Sequence, residues 1–148
     1  MKYFVLLLTI CSLTTYAQKD EDKVKAPITQ FFEGMRRSDS NMIKASLAPN
    51  AILQTIAKNK EGKTVVHTEN MARFITAVTQ PHDKVYDERI TFNTIKIDAV
   101  LATVWTPYQF YVGDTFSHCG VNSFQLVRIE GAWKIQYIID TRRKEGCL

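Results

Sequence analysis

From residue 20 onward the apolar positions first keep a helical period and then change to a period of two. In DEDKVKAPITQFFEGMRRS (20–38), Val24, Ile28, Phe31, Phe32 and Met35 recur at spacings of 3, 4 and 7. That spacing predicts an amphipathic helix, with Pro27 either kinking it or marking its first turn. Asp39 or Ser40 can cap a second, short helix through Leu47, with Met42, Ile43 and Leu47 inward and Ala48-Pro49-Asn50 ending it. AILQTI (51–56) and TVVH (64–67) read as short strands around a turn of Lys, Asn and Gly. Thr68 can cap a third helix whose Met71, Phe74, Ile75 and Val78 share one face, and Gln80-Pro81-His82-Asp83 stops it. The period of two begins at Val85 and covers strands at about 85–97, 100–112, 115–128 and 132–142. Gly113-Asp114 and Glu130-Gly131 mark tight turns, the second an acidic–Gly pair suited to a two-residue hairpin. Helices followed by a long antiparallel meander predict one α+β domain.

The two turns also predict a register. With Gly113-Asp114 as the loop, Tyr111 pairs with Phe116, Gln109 with His118, Trp105 with Asn122 and Leu101 with Leu126. With Glu130-Gly131 as the loop, Leu126 meets Ile135, Phe124 meets Tyr137, Asn122 meets Ile139, and His118 comes opposite Arg143. One face then collects Leu101, Trp105, Phe124, Leu126, Trp133, Ile135, Tyr137 and Ile139, which predicts the side covered by the helices. Its polar end holds Gln109, Tyr111, His118, Asn122 and Arg143. The other face carries Val104, Thr106, Tyr108, Phe110, Cys119, Val121, Ser123, Gln125, Gln136, Ile138, Asp140 and Arg142, a mixed surface suited to packing against a second copy of the sheet. His118 and Cys119 are consecutive on a strand and point to opposite faces, so they form neither a metal clip nor a nucleophile–base pair unless a bulge intervenes at Gly120.

The N-terminus stands apart from this pattern. MKYFVLLLTICSLTTYAQ has a positive start at Lys2, a short apolar run from Phe4 to Leu13 and a small-residue cleavage site at Thr15-Tyr16-Ala17. It reads as a secretory signal peptide over 1–17, its apolar run too short to span a bilayer comfortably. A lipoprotein anchor at Cys11 is disfavoured by the bulky Ile10 before it. Cleavage after Ala17 leaves a single domain, 18–148, with 18 basic against 15 acidic residues and a net charge of +3. The basic residues are scattered and lack interleaved aromatics, which argues against nucleic acid. Of three cysteines only Cys119 and Cys147 remain, and in an oxidising compartment they can pair or stay free.

The stretch from Val104-Trp105 through FYVGDTFSHCGVNSFQLVRIEGAWKIQYIIDTRRKEGC resembles nuclear transport factor 2-like (SnoaL-like) proteins. More closely it resembles secreted bacterial members labelled "putative lumazine-binding", with FSHCG, FQLV, AWKI and DTRR its most specific segments. The resemblance covers nearly all of residues 18–148. It implies a cone in which three N-terminal helices pack on a curved antiparallel sheet, a pocket between them, and frequently a homodimer through the outer sheet face. Because the superfamily holds isomerases, dehydratases, cyclases and many non-catalytic members, the fold does not settle function.

His118 is a candidate acid or base for pocket chemistry, against the plainer role of bracing the rim. Asp140 is a candidate base only if a bulge turns it inward; otherwise it pairs with Arg142 on the outer face. Arg143 beside His118 would favour a neutral imidazole and suit an anionic ligand. Trp105, Tyr111 and Tyr137 could stack on a flat heterocycle, with Gln109, His118, Asn122 and Arg143 as a polar rim. The histidines at 67, 82 and 118 lack metal-ligand spacing, and no cofactor motif is present. Three functions stay open: a binder of a small aromatic or anionic ligand, a cofactor-free isomerase- or dehydratase-type enzyme, and a protein-interaction module.

Overall fold

The computed structural model describes residues 8–147, with side chains from Asp20 onward. The leader expected over residues 1–17 lies outside the residues whose side chains are described. Among the described residues three helices, α1 (Leu8–Arg36), α2 (Ser40–Ser46) and α3 (Met71–Thr79), accompany seven strands. These are β1 (Leu47–Lys58), β2 (Thr64–Glu69), β3 (Tyr86–Ile90), β4 (Thr94–Asp98), β5 (Leu101–Val112), β6 (Thr115–Ile129) and β7 (Ala132–Arg143). The strands form one curved, unclosed sheet in the order β2-β1-β7-β6-β5-β3, with β4 also on β5. The helices cover its inner face.

The helical stripe is where its spacing put it. Val24, Ile28, Phe31, Phe32 and Met35 are all buried on α1, which runs through Pro27 rather than starting there. Asp39 caps α2, its carboxylate accepting from the backbone N–H groups of Asn41 and Met42. α3 is capped by Asn70, which accepts from the Arg73 N–H, and not by Thr68. Thr68 belongs to β2, where its hydroxyl accepts from the Gln54 amide of β1. Ala48-Pro49-Asn50 does not end the second helix as a loop; it already lies in β1.

Three features of the sheet differ from the predicted meander. First, β1 runs parallel to β7, so the sheet is not wholly antiparallel. Second, the strand expected over 85–97 is broken. Ile90 pairs with Tyr108 and Thr94 with Trp105, which leaves Thr91-Phe92-Asn93 opposite Thr106-Pro107. Pro107 has no N–H to offer the ladder, and the chain passes it with one extra residue. Third, two bulges change the register. Tyr111 pairs with Phe116 but Phe110 pairs with His118, making Ser117 the extra residue of β6. Gln125 pairs with Tyr137 and Leu126 with Ile135, making Gln136 the extra residue of β7.

A one-residue slip moves a side-chain set to the other face. Gln109 therefore pairs with Cys119, Trp105 with Ser123 and Leu101 with Val127; Asn122 meets Asp140, Phe124 meets Ile138, and Cys119, not His118, meets Arg143. Ala102, Val104, Phe124, Leu126, Trp133, Ile135 and Ile138 make the buried face with the helices. Leu101 and Trp105, expected inside, are each 46% exposed. Conversely Val104, Thr106, Tyr108 and Phe110 point inward rather than outward. The hairpin at Glu130-Gly131 forms as its sequence suggests, both residues at positive φ (49° and 83°).

Cys119 and Cys147 are joined by a disulfide. It ties the short tail beyond β7 to the back of β6, on the face opposite His118.

Candidate functional site

Between α1, α3 and the concave face of the sheet lies a cavity of about 520 Å³. Its wall is apolar: Phe31, Phe32 and Met35 from α1, Phe74 and Val78 from α3, and Tyr86 and Phe110 from the sheet. Its floor is polar, formed by Glu88, Tyr108, His118, Asn122, Asp140 and Arg142. These positions converge because the bulges at Ser117 and Gln136 bring the inward side chains of β5, β6 and β7 into phase with those of β3.

Asp140 is the hub of the floor and is 5% exposed. Its Oδ1 accepts from Thr55 Oγ1 at 2.6 Å, and its Oδ2 accepts from the Tyr108 hydroxyl at 3.1 Å and from Arg142 Nε at 3.0 Å. Arg142 Nη2 closes the ring by donating to Thr55 Oγ1 at 3.1 Å. Tyr108 also reaches the Thr141 carbonyl at 3.0 Å. Burial, reinforced by Asp140 and Glu88, pushes the Tyr108 phenol above its usual range, so it stays a donor. Asp140→Ala is expected to destabilise the fold by about 2 kcal/mol in urea unfolding. It strands the buried Thr55 hydroxyl and removes the counter-charge of Arg142, whose half-exposed guanidinium is partly relieved by water.

Glu88 sits beside this hub. It is partly buried at the cavity lining, and Asn122 Nδ2 donates to its Oε1 at 2.8 Å. Burial pushes the carboxyl from an ordinary value near 4.5 up to about 7; the Asn122 bond opposes the shift and the Asp140 charge adds to it. A raised carboxyl value favours the folded state below the unfolded value, and that contribution is lost as pH rises through the folded one. Going from about pH 5 to about pH 8 should therefore cost roughly 2–3 kcal/mol of stability. Urea unfolding at the two pH values checks this, and Glu88→Gln should flatten the difference.

His118 lies against Tyr108 and Phe110, with ring centroids 5.7 and 5.0 Å away, and its Nδ1 is 3.0 Å from Ser117 Oγ. Burial first, and then the charge of Arg142, lower its basicity and keep the imidazole neutral.

Of the residues the sequence pointed to, the cavity gathers His118, Asn122 and Asp140. The structure does not bring Trp105, Gln109, Tyr111, Tyr137 or Arg143 to it. They lie on the outer face, because the register that put them inside omits the two bulges. Trp105 borders a shallow surface hollow with Thr94 and Lys96. Tyr111 donates to Gln109 Oε1 at 2.9 Å and has the Arg89 guanidinium 4.0 Å from its ring. Tyr137 donates to Gln54 Oε1 at 2.7 Å, and Arg143 Nε to the Gly146 carbonyl at 3.3 Å. Arg142, not Arg143, is the arginine of the cavity floor, and it is already paired with Asp140. Glu88 was missed, although YDERI shows its signal: an acidic residue in phase with Tyr86 and Ile90 on the inward side of a strand. Among the described residues no group of three or more His, Cys, Asp or Glu could hold a metal ion, and no helix is long and apolar enough to cross a membrane.

Helices on the concave face of a curved sheet, with a pocket between them, define a nuclear transport factor 2-like protein. Solved structures share this fold at low identity. A conserved protein from Planctomyces limnophilus is 16% identical with a TM-score of 0.71, covering 85% of this chain and 98% of that one. A structure titled as a putative dehydratase of the NTF2-like family, from Streptomyces avermitilis, is 14% identical with a TM-score of 0.68, covering 86% and 98%. An NTF2-like protein of unknown function from Silicibacter pomeroyi is 14% identical with a TM-score of 0.67, also covering 86% and 98%. At these identities the likeness speaks to the fold alone. No curated protein sequence matches the chain. Residues 19–137 match the family model described as "Putative lumazine-binding", and the chain belongs to that family.

Proposed function

We propose that this protein is an exported binder of a small, flat molecule held in the cavity. The observation that carries the reading is the division of one cavity into an aromatic wall and a polar floor, the arrangement that buries a ligand's body and orients its head. The family's description makes lumazine the first probe. Titration followed by lumazine fluorescence should give saturable binding, weakened at least about ten-fold by Ala77→Trp, which plugs the mouth without touching the core. Indifference of both lumazine and naphthalene to the protein would sink the reading. Export is supported by the leader-like N-terminus and by the Cys119–Cys147 disulfide, which suits an oxidising compartment. Self-association through the outer sheet face is proposed from exposed Trp105 and Ile52, rather than from Tyr108 and Phe110. Trp105→Glu should then shift a concentration-dependent sedimentation profile toward monomer.

A second reading is a cofactor-free acid–base enzyme. It is favoured by a partly buried carboxyl, Glu88, whose value is raised to about 7 on the same floor as His118, whose basicity is lowered. Asp140 suits the role of base less well, since both its oxygens already accept hydrogen bonds.

A further inference from the structure

The polar atoms of the cavity floor are unequal in what they have left to offer. Asp140 already accepts from Thr55, Tyr108 and Arg142. Arg142 is the floor's cation, and its charge is balanced by Asp140 at 3.0 Å. Tyr108 spends its proton on Asp140 and the Thr141 carbonyl. Asn122 gives an amide proton to Glu88 Oε1, while Glu88 Oε2 has no partner among the described residues. At the floor an anionic head would thus meet two carboxyl groups and one neutralised guanidinium; the cavity's other cation, Arg73 of α3, is solvent-exposed.

We infer that the cavity takes an uncharged ligand whose buried head is a hydrogen-bond acceptor, a carbonyl or an unprotonated ring nitrogen, received by the Glu88 carboxyl acting as donor. The inference rests on the cavity reading above and narrows it to a ligand class. Of the aromatic or anionic ligand expected from the sequence it favours an uncharged one, the anionic option having come from placing Arg143 beside His118 at the pocket. No proton is transferred: the carboxyl O–H points to the acceptor while Oε1 continues to accept from Asn122. The charged and titratable groups around Glu88 are consistent with a retained proton. β7 presents Asp140 and Arg142, β5 presents Tyr108, β6 presents His118, and Glu69 of β2 and Arg73 of α3 stand at the lining, while α1 presents only Phe31, Phe32 and Met35. Burial and the Asp140 charge then hold the carboxyl protonated to near neutral pH.

Three probes with one body and different heads test this on the full chain: naphthalene, 2-acetylnaphthalene and 2-naphthoate. At about pH 5.5 the ketone should bind at least about ten-fold more tightly than naphthalene, and the naphthoate less tightly than the ketone. The ketone's advantage should vanish by about pH 8.5, where Glu88 is ionised, while naphthalene binding stays level. Glu88→Gln, whose amide donates without titrating, should keep the advantage at both pH values. A ¹³C-carboxyl NMR titration of the unmutated protein reads the same claim without a variant: the Glu88 midpoint should move up when the ketone saturates the site. Tighter binding of the naphthoate, or a ketone advantage unchanged by pH in the unmutated protein, would overturn the inference. Naphthalene binding with no preference for the ketone overturns it while leaving the cavity reading intact. Failure of all three probes to bind overturns both.

Discussion

Gly120→Ala is expected to leave little folded protein at 25 °C, with a loss of at least about 4 kcal/mol in urea unfolding. Gly120 faces inward on β6 opposite Tyr108 and beside β7. A Cβ there would overlap the Thr141 carbonyl and lie 2.7 Å from Tyr108 Cε1. Backbone cannot yield as a flexible side-chain end can, so β6 and β7 would have to part locally. Tyr108 would be displaced as well, and its hydroxyl helps hold Asp140. The tyrosine ring lies over the glycine, filling the space a side chain would take. The bulge of β6 is at Ser117 and not at Gly120, which serves close approach instead. A variant melting within a few degrees of the unmutated protein would contradict this packing.

Removing the disulfide with Cys119→Ala and Cys147→Ala together should cost about 3.5 kcal/mol, from the entropy the unfolded chain regains over a separation of 28 residues. Cys119 is 1% exposed, so the alanine also leaves a small void behind His118. Thermal unfolding with and without a reductant gives the comparison. The reduced unmutated protein should fall to near the double variant, and the double variant should ignore the reductant. An unmutated protein that, without reductant, melts no higher than the double variant would show that the two sulfurs contribute no bond in solution.

The helices were legible because burial follows a 3.6-residue period that nothing interrupts. Val24 to Met35 on α1, and Ile75 and Val78 on α3, needed no tertiary knowledge. The cap of α3 was misplaced by two residues because Thr68 and Asn70 are both cap formers, and only the continuation of β2 through Glu69 decides between them. The pairing of β1 with β7 was not legible, since it joins segments some eighty residues apart with no turn between them to set a register.

The site was legible only in part for one physical reason. LATVWTPYQFYV places apolar residues on both of its faces, so periodicity could not tell which face was buried, and the inference fell to turn geometry. Turn geometry propagates a register faithfully until a bulge, and neither Ser117 nor Gln136 announces one. Two single-residue insertions exchanged Trp105, Gln109, Tyr111, Tyr137 and Arg143 for Tyr108, Phe110 and Arg142, and turned Asp140 inward. His118 and Asn122 kept their place because β6 itself was read in the right phase.

The central claim is that a small molecule occupies this cavity rather than the outer face. Methyl NMR of the full chain titrated with 2-acetylnaphthalene tests it most directly. The methyls of Leu53, Val78 and Ile138, which line the cavity, should shift together and saturate, while those of Ile52 and Ile139 on the outer face stay still. Saturable shifts at Ile52 and Ile139 with none at Leu53, Val78 and Ile138 would contradict the account.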